Sequence, residues 1–134
     1  MRALAMYSWL VFLTVATSLS NVLSAEQLDG QLTLDQIRTK ALSIKKEVES
    51  MRGNAVCANR SECRAIGYGA KPCGGPSGYL VYSTRDTNAA LLESKVREFN
   101  AVVRELNVRR QLLSDCLFVS QPPVTCAQNK CVAN

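Results

Sequence analysis

Two stretches of the chain repeat apolar residues at alternating three- and four-residue steps, the period of one helix face. In the first, Leu34, Ile37, Ala41, Ile44, Val48 and Met51 form the stripe. Lys40, Lys45, Lys46, Glu47 and Glu49 cover much of the opposite face. Thr33 and Gln36 stand at the spacing at which each side chain satisfies the other's backbone N–H, with Leu32 and Ile37 placed as a hydrophobic staple. Gly53 and Asn54 supply a stop. The pattern predicts a helix over 33–52. In the second stretch the stripe is Leu92, Val96, Phe99, Val103, Leu106 and Leu113, with Arg110 on the one missing rung. Leu91 and Val102 widen it toward a core-facing helix. With Thr87 as its cap, this predicts a helix over 88–113.

Between the helices the pattern becomes that of strands. Glu62–Gly67 and Gly78–Thr84 are rich in strand formers, the second through Tyr79, Leu80, Val81 and Tyr82. Lys71-Pro72-Cys73-Gly74-Gly75-Pro76 lies between them. Its prolines cannot donate to a ladder and its glycines admit positive φ, so 62–84 reads as a hairpin with a looping tip. Gln121-Pro122-Pro123 breaks the chain again, and 124–132 reads as a short terminal hairpin. The predicted fold class is α+β, a small disulfide-stabilised antiparallel sheet packed by two long amphipathic helices.

The N-terminal segment changes the picture of where the protein works. Arg2 precedes an apolar run from Met6 through Ala16, and small residues follow at Ser18, Ser20, Val22 and Ser24. This is the pattern of a secretory signal peptide over 1–24, with cleavage after Ser24 preferred and Ser20 as the alternative. Residues 25–134 then form a single secreted domain, polar and loose from Ala25 to Gln31. Serines, threonines and Asn21 interrupt the apolar run, so it falls short of the ~20 predominantly apolar residues a membrane span needs. No second apolar run of that length occurs.

Cysteine usage agrees with export. Cys57, Cys63, Cys73, Cys116, Cys126 and Cys131 make an even set of six, all beyond the signal segment. Their spacings are five, nine, forty-two, nine and four residues, nearly mirror-symmetric about the second helix. Fifteen pairings are open. The symmetry suggests a nested arrangement, with Cys73–Cys116 inside and Cys57 or Cys63 reaching Cys126 or Cys131. Asn59-Arg60-Ser61 is an N-glycosylation sequon, which makes Asn59 a candidate glycan site. The charge of +5 becomes 15 − 11 = +4 without Arg2, too diffuse to mark a nucleic-acid surface.

The chain contains no histidine. Ser–His and Cys–His nucleophile pairs are therefore excluded, and the commonest metal ligand is missing. The cysteines lack the paired C-x₂-C spacing of zinc sites, and no cofactor or metal is expected. Glu98 and Glu105 share a helix face, but Arg97, Arg104 and Arg109 beside them make it an ordinary charged surface. Asp86 and Asp115 fit capping near helix ends. Gly67-x-Gly69-Ala70-Lys71 lacks the spacing of a phosphate loop. One sharper candidate is Cys63-Arg64-Ala65-Ile66, a basic residue directly after a cysteine. A disulfide-held loop of that order could offer Arg64 to a trypsin-like protease with little ordering cost. Arg64, Tyr68 and Lys71 are accordingly the candidate contact loop.

The run from Cys63 to Ser83, with Lys71-Pro72-Cys73-Gly74-Gly75-Pro76 followed by Tyr79-Leu80-Val81-Tyr82-Ser83, resembles a motif set of small secreted cysteine-rich proteins of unassigned function. Phe99-Asn100 and Ser114-Asp115-Cys116 belong to the same set. The resemblance covers Cys57 to Cys131 and implies a disulfide-stabilised fold without an activity. The expectation is a secreted, non-enzymatic binding protein with an extracellular protein or matrix partner, a matrix, defence or venom-type component. The alternative is a serine protease inhibitor acting through Arg64. Expressed with its full N-terminus in a secreting cell, the protein should appear outside with Ala25 as its first residue. Intact mass and N-terminal sequencing check this, and retention of Met1 on the exported chain would contradict it.

Overall fold

The computed structural model describes residues 32–134; the signal peptide expected over 1–24 and the polar start expected at 25–31 lie outside the described residues. Helix α1 covers Leu34–Met51. Its N-terminus is closed by the reciprocal capping box, with Gln36 N–H donating to Thr33 Oγ1 at 3.2 Å and Thr33 N–H donating to Gln36 Oε1 at 2.7 Å. Ile37, Ala41, Ile44 and Val48 are buried along one side, while Leu34 at the first turn remains exposed. Gly53 then turns the chain at φ 63°, where an added Cβ would stand 3.2 Å from the Asp86 carboxylate.

A single 3₁₀ turn, Arg60–Glu62, leads into strand β1 (Cys63–Tyr68), which pairs antiparallel with β2 (Gly78–Ser83). The register sets Cys63 opposite Ser83 and Tyr68 opposite Gly78. Helix α2 follows at Ala89–Arg109, and a second antiparallel pair, β3 (Val124–Ala127) and β4 (Lys130–Ala133), closes the chain. The two pairs are separate two-stranded sheets rather than one sheet under both helices. The architecture is mixed α+β, and the expected single sheet is corrected to two.

Strand period explains how the two sheets and the helices share one hairpin. Successive residues point to opposite faces, and both faces of β1–β2 are covered. Leu80 and Tyr82, with Ile66 and Tyr68 alongside, join Ala41, Ile44, Val48, Leu92, Val96 and Phe99 in the larger core. Cys63, and Val81 packed beside it, belong to a second core with Ala55, Cys57, Cys131, Val124 and Cys126. The helices therefore lie on one face and the β3–β4 hairpin on the other.

Disulfides close this second core. The bridges are Cys57–Cys126, Cys63–Cys131 and Cys73–Cys116. The inner pair follows the mirror-symmetric spacing, but the outer two cross in sequence instead of nesting. The cause lies in the terminal hairpin. Cys126 and Cys131 sit directly opposite one another, Cys131 bonded to Cys63 at the first residue of β1 and Cys126 to Cys57 in the segment before it. That segment runs beside β4, with Cys57 N–H donating to Asn129 O and Cys131 N–H donating to Ala55 O. Each bridge closes a long loop and contributes on the order of 4 kcal/mol by restricting the unfolded chain.

Two local departures from the sequence pattern concern α2. Its cap is Asn88, whose side chain accepts from Leu91 N–H at 3.2 Å, while Thr87 donates its hydroxyl to Arg52 O. The helix also stops at Arg109 rather than Leu113. Gln111 takes φ 50°, its N–H reaches Val108 O, and Leu112 N–H reaches Asn107 O. That bond pair is a Schellman ending, a conformation usually held by glycine. Gln111→Gly should therefore raise the unfolding free energy by about 0.5–1 kcal/mol through relief of the left-handed strain. Urea denaturation checks this, and a loss of stability would contradict it.

Candidate functional site

The early end of α2 sets the geometry of the surface beyond it. Residues 112–123 carry no regular structure. They are held against the tip of the β1–β2 hairpin by four kinds of tie. Cys116 is bonded to Cys73. The Lys71 ammonium donates to Asp115 Oδ1 at 3.0 Å and to Leu117 O at 2.8 Å. Tyr79 Oη donates to Val119 O at 3.3 Å. Gln121 Nε2 donates to Ala65 O at 3.1 Å.

The hairpin tip itself is shaped by its glycines and by two asparagines of α2. Gly69 has φ 75°, and a Cβ there would come within 2.9 Å of Ser77 Oγ, so any side chain would collide as well as strain the backbone. A turn forms at Lys71–Gly74, closed by Gly74 N–H donating to Lys71 O. Asn100 Nδ2 donates to Gly67 O at 2.9 Å, and buried Asn107 donates to Ala70 O at 2.7 Å. A strand edge leaves backbone carbonyls unpaired, and here side-chain amides satisfy them. Asn107 could have been recognised from the pattern, since it falls four residues after Val103, in step with the apolar stripe.

The sequence-based candidates separate in space. Arg64 stands in β1 opposite Tyr82 rather than on a projecting loop. Its guanidinium donates to the carbonyls of Ser61 and Cys63 at 2.7 and 2.8 Å. Tyr68, at the end of the same strand, stacks on Phe99 with ring centroids 4.7 Å apart. Burial, and secondarily the charge of Glu49, raises the Tyr68 phenol above its ordinary pKa. Lys71 is an anchor for residues 115–117. The three do not form one contact loop.

Asn59 is exposed, and its side-chain oxygen accepts from Ser61 N–H at 3.0 Å and from the Ser61 hydroxyl. Glu98 pairs with Lys95 and Glu105 with Arg109, as expected of a charged helix surface. Cys57, Cys63 and Cys131 bring their sulfurs within 4.8 Å of one another, but each is committed to a disulfide.

What the geometry brings together was not expected from the pattern. Val108, Leu113, Leu117 and Phe118 are 76%, 96%, 66% and 88% exposed, and Leu112 is also exposed. Two concavities lie at the hairpin tip and share Lys71 and Gly74. One, of about 260 Å³, is lined by Arg104, Asn107, Val108 and Leu112. The other, of about 460 Å³, is lined by Cys73, Cys116, Leu117, Phe118 and Val119. The Cys73–Cys116 bridge is exposed, whereas Cys57, Cys63 and Cys131 are buried. The site is thus an apolar, covalently closed surface held in place by the Lys71–Asp115 ion pair.

Fold and site together define a small α+β chain tied by three disulfides. Among the described residues, no helix is long and apolar enough to cross a membrane. No protein family, curated protein or solved structure matches the chain.

The tie at Asp115 has a pH signature. The hydrogen bond from Lys71, and next that from the Leu117 N–H, hold the Asp115 carboxyl below its usual 3.8. A depressed carboxyl contributes stability above its unfolded pKa and loses it as pH falls through the folded value. The Leu117 amide proton resonance should therefore titrate with its midpoint below pH 3.8. In Lys71→Met the shift should move to higher pH. A coincident titration in both proteins would contradict the assignment.

Proposed function

We propose that this chain is an exported, non-catalytic binding protein whose contact surface is the disulfide-closed segment from Leu112 to Val119. The observation that carries this reading is the exposure of Leu113, Leu117 and Phe118 on a stretch tied down by Cys73–Cys116 and Lys71. Soluble chains rarely leave contiguous large apolar side chains in water, and such patches mark interaction sites. Covalent closure removes much of the ordering cost that a flexible segment would meet on binding. The three disulfides favour an oxidising compartment outside the cytosol, and Asn59 is available there as a glycan acceptor. The absence of histidine disfavours the usual acid–base and nucleophilic catalysts.

The inhibitor reading receives less support. Inhibitors of trypsin-like proteases need a basic residue on an accessible loop, whereas Arg64 belongs to a paired strand and spends its guanidinium on two carbonyls. Titration of trypsin with the protein, or with Arg64→Ala, is expected to leave the enzyme at full rate.

The contact surface is tested by a photoreactive p-benzoylphenylalanine at position 118, with position 42 as a comparison. Leu42 is 60% exposed on α1, outside the segment in sequence. Irradiation in the native extracellular fluid or on cells of the source should give adducts at 118 and none at 42. Equal labelling of both positions, or of neither, would count against this surface.

A further inference from the structure

We infer that the Leu112–Val119 surface is a peripheral membrane-docking loop that engages an anionic lipid interface; this deepens, and rests on, the assignment of that segment as the contact surface. Three observations point to a lipid surface rather than to another copy of the chain or to a protein groove.

The first is the form of the patch. Leu113 and Phe118 are 96% and 88% exposed, so their side chains project into solvent, Phe118 from the edge of the concavity it lines with Leu117. They stand on irregular backbone closed by Cys73–Cys116. Projecting apolar side chains on a rigid support suit a soft medium that flows around them. A protein partner would need a matching pocket for each.

The second is charge. Lys71 and Arg109 are matched by Asp115 and Glu105. Among the described residues, Arg104 and Arg110 have no carboxylate partner. Arg104 lines the concavity that also holds Val108 and Leu112, and Arg110 caps α2 two residues before Leu112. The patch therefore carries uncompensated positive charge beside its apolar tips. That arrangement complements a negatively charged headgroup layer over an acyl phase. It opposes self-association through the same face, because a two-fold contact brings like patches together.

The third is the ordering of the two components along the chain. The unpaired arginines lie on the last two turns of α2, and Leu113, Leu117 and Phe118 follow on the segment beyond it. A loop entering the interface would leave the helix end, with its cations, at headgroup depth. The helix C-terminus places Arg110 beside the last free carbonyls, so the cation stays in the polar layer.

The test is sedimentation of the disulfide-intact protein with vesicles of phosphatidylcholine alone and of phosphatidylcholine with phosphatidylserine. The wild type should partition onto the anionic vesicles and weakly onto the neutral ones. Arg104→Gln with Arg110→Gln should lower the anionic partition by roughly thirty-fold, since each cation near an anionic surface is worth about fivefold. Leu113→Ser with Phe118→Ser should lower it by at least about tenfold on both vesicle types. Leu42→Ser, which removes an exposed leucine outside the segment, should leave it unchanged, and far-ultraviolet circular dichroism of each variant shows that the fold is retained. No partition onto either vesicle, equal partition onto both, or an equal loss with Leu42→Ser overturns the inference. If vesicles do not bind while position 118 still crosslinks to a protein, the contact surface stands and its partner is a protein. If position 118 labels nothing and vesicles do not bind, both fail.

Discussion

Burial of both faces of the β1–β2 hairpin is the constraint from which the rest of the structure follows. A strand has two faces and a period of two, so each residue is assigned to a layer by parity alone. Leu80 and Tyr82 face the helices, and Val81 faces the disulfide core. A slip of one residue would exchange these sets and leave Tyr82 among cystines. The register is guarded at both ends. Cys63 is bonded to Cys131 at one end, and Asn100 and Asn107 bind the carbonyls of Gly67 and Ala70 at the other. The Tyr82 hydroxyl, buried and donating to Glu93 at 2.6 Å, adds a tie to α2 within the layer. Burial, then that carboxylate, pushes its pKa up to about 12, so it stays a donor at neutral pH.

Legibility of this fold varies with the kind of signal each element carries. Helix α1 announces itself because its start uses a reciprocal side-chain cap and its end uses a glycine. The far end of α2 does not, because Gln111 adopts a left-handed conformation without being glycine. Periodicity therefore runs on through Arg110 to Leu113, and a residue expected in the core emerges almost fully in water. The hairpins were readable from strand formers and prolines. Their separation into two sheets was not, since strand formers alone leave open whether the terminal hairpin pairs edge to edge with β1–β2 or packs on its face.

The candidate site illustrates the same limit at the level of single residues. Lys71 looked like a contact residue because it ends the loop expected to run on from Arg64. Its ammonium is instead shared between Asp115 and Leu117 O, forty-four and forty-six positions away. Arg64 looked like an exposed hook because it follows a cysteine, yet its strand pairing and its carbonyl partners come from the tertiary fold. A stripe position held by an amide, as at Asn107, was the one clue in the sequence to a carbonyl awaiting a donor.

The crossing of the outer bridges around the inner one has a consequence for persistence under proteolysis. Every peptide bond between Cys57 and Cys131 is spanned by at least one of the three cystines. A protease that clips the exposed stretch around Phe118 would cut the backbone without freeing a fragment. The severed halves would remain one molecule, joined through Cys57–Cys126 and Cys63–Cys131 in the buried core. The most vulnerable part of the surface can thus be nicked while the scaffold that carries it stays whole.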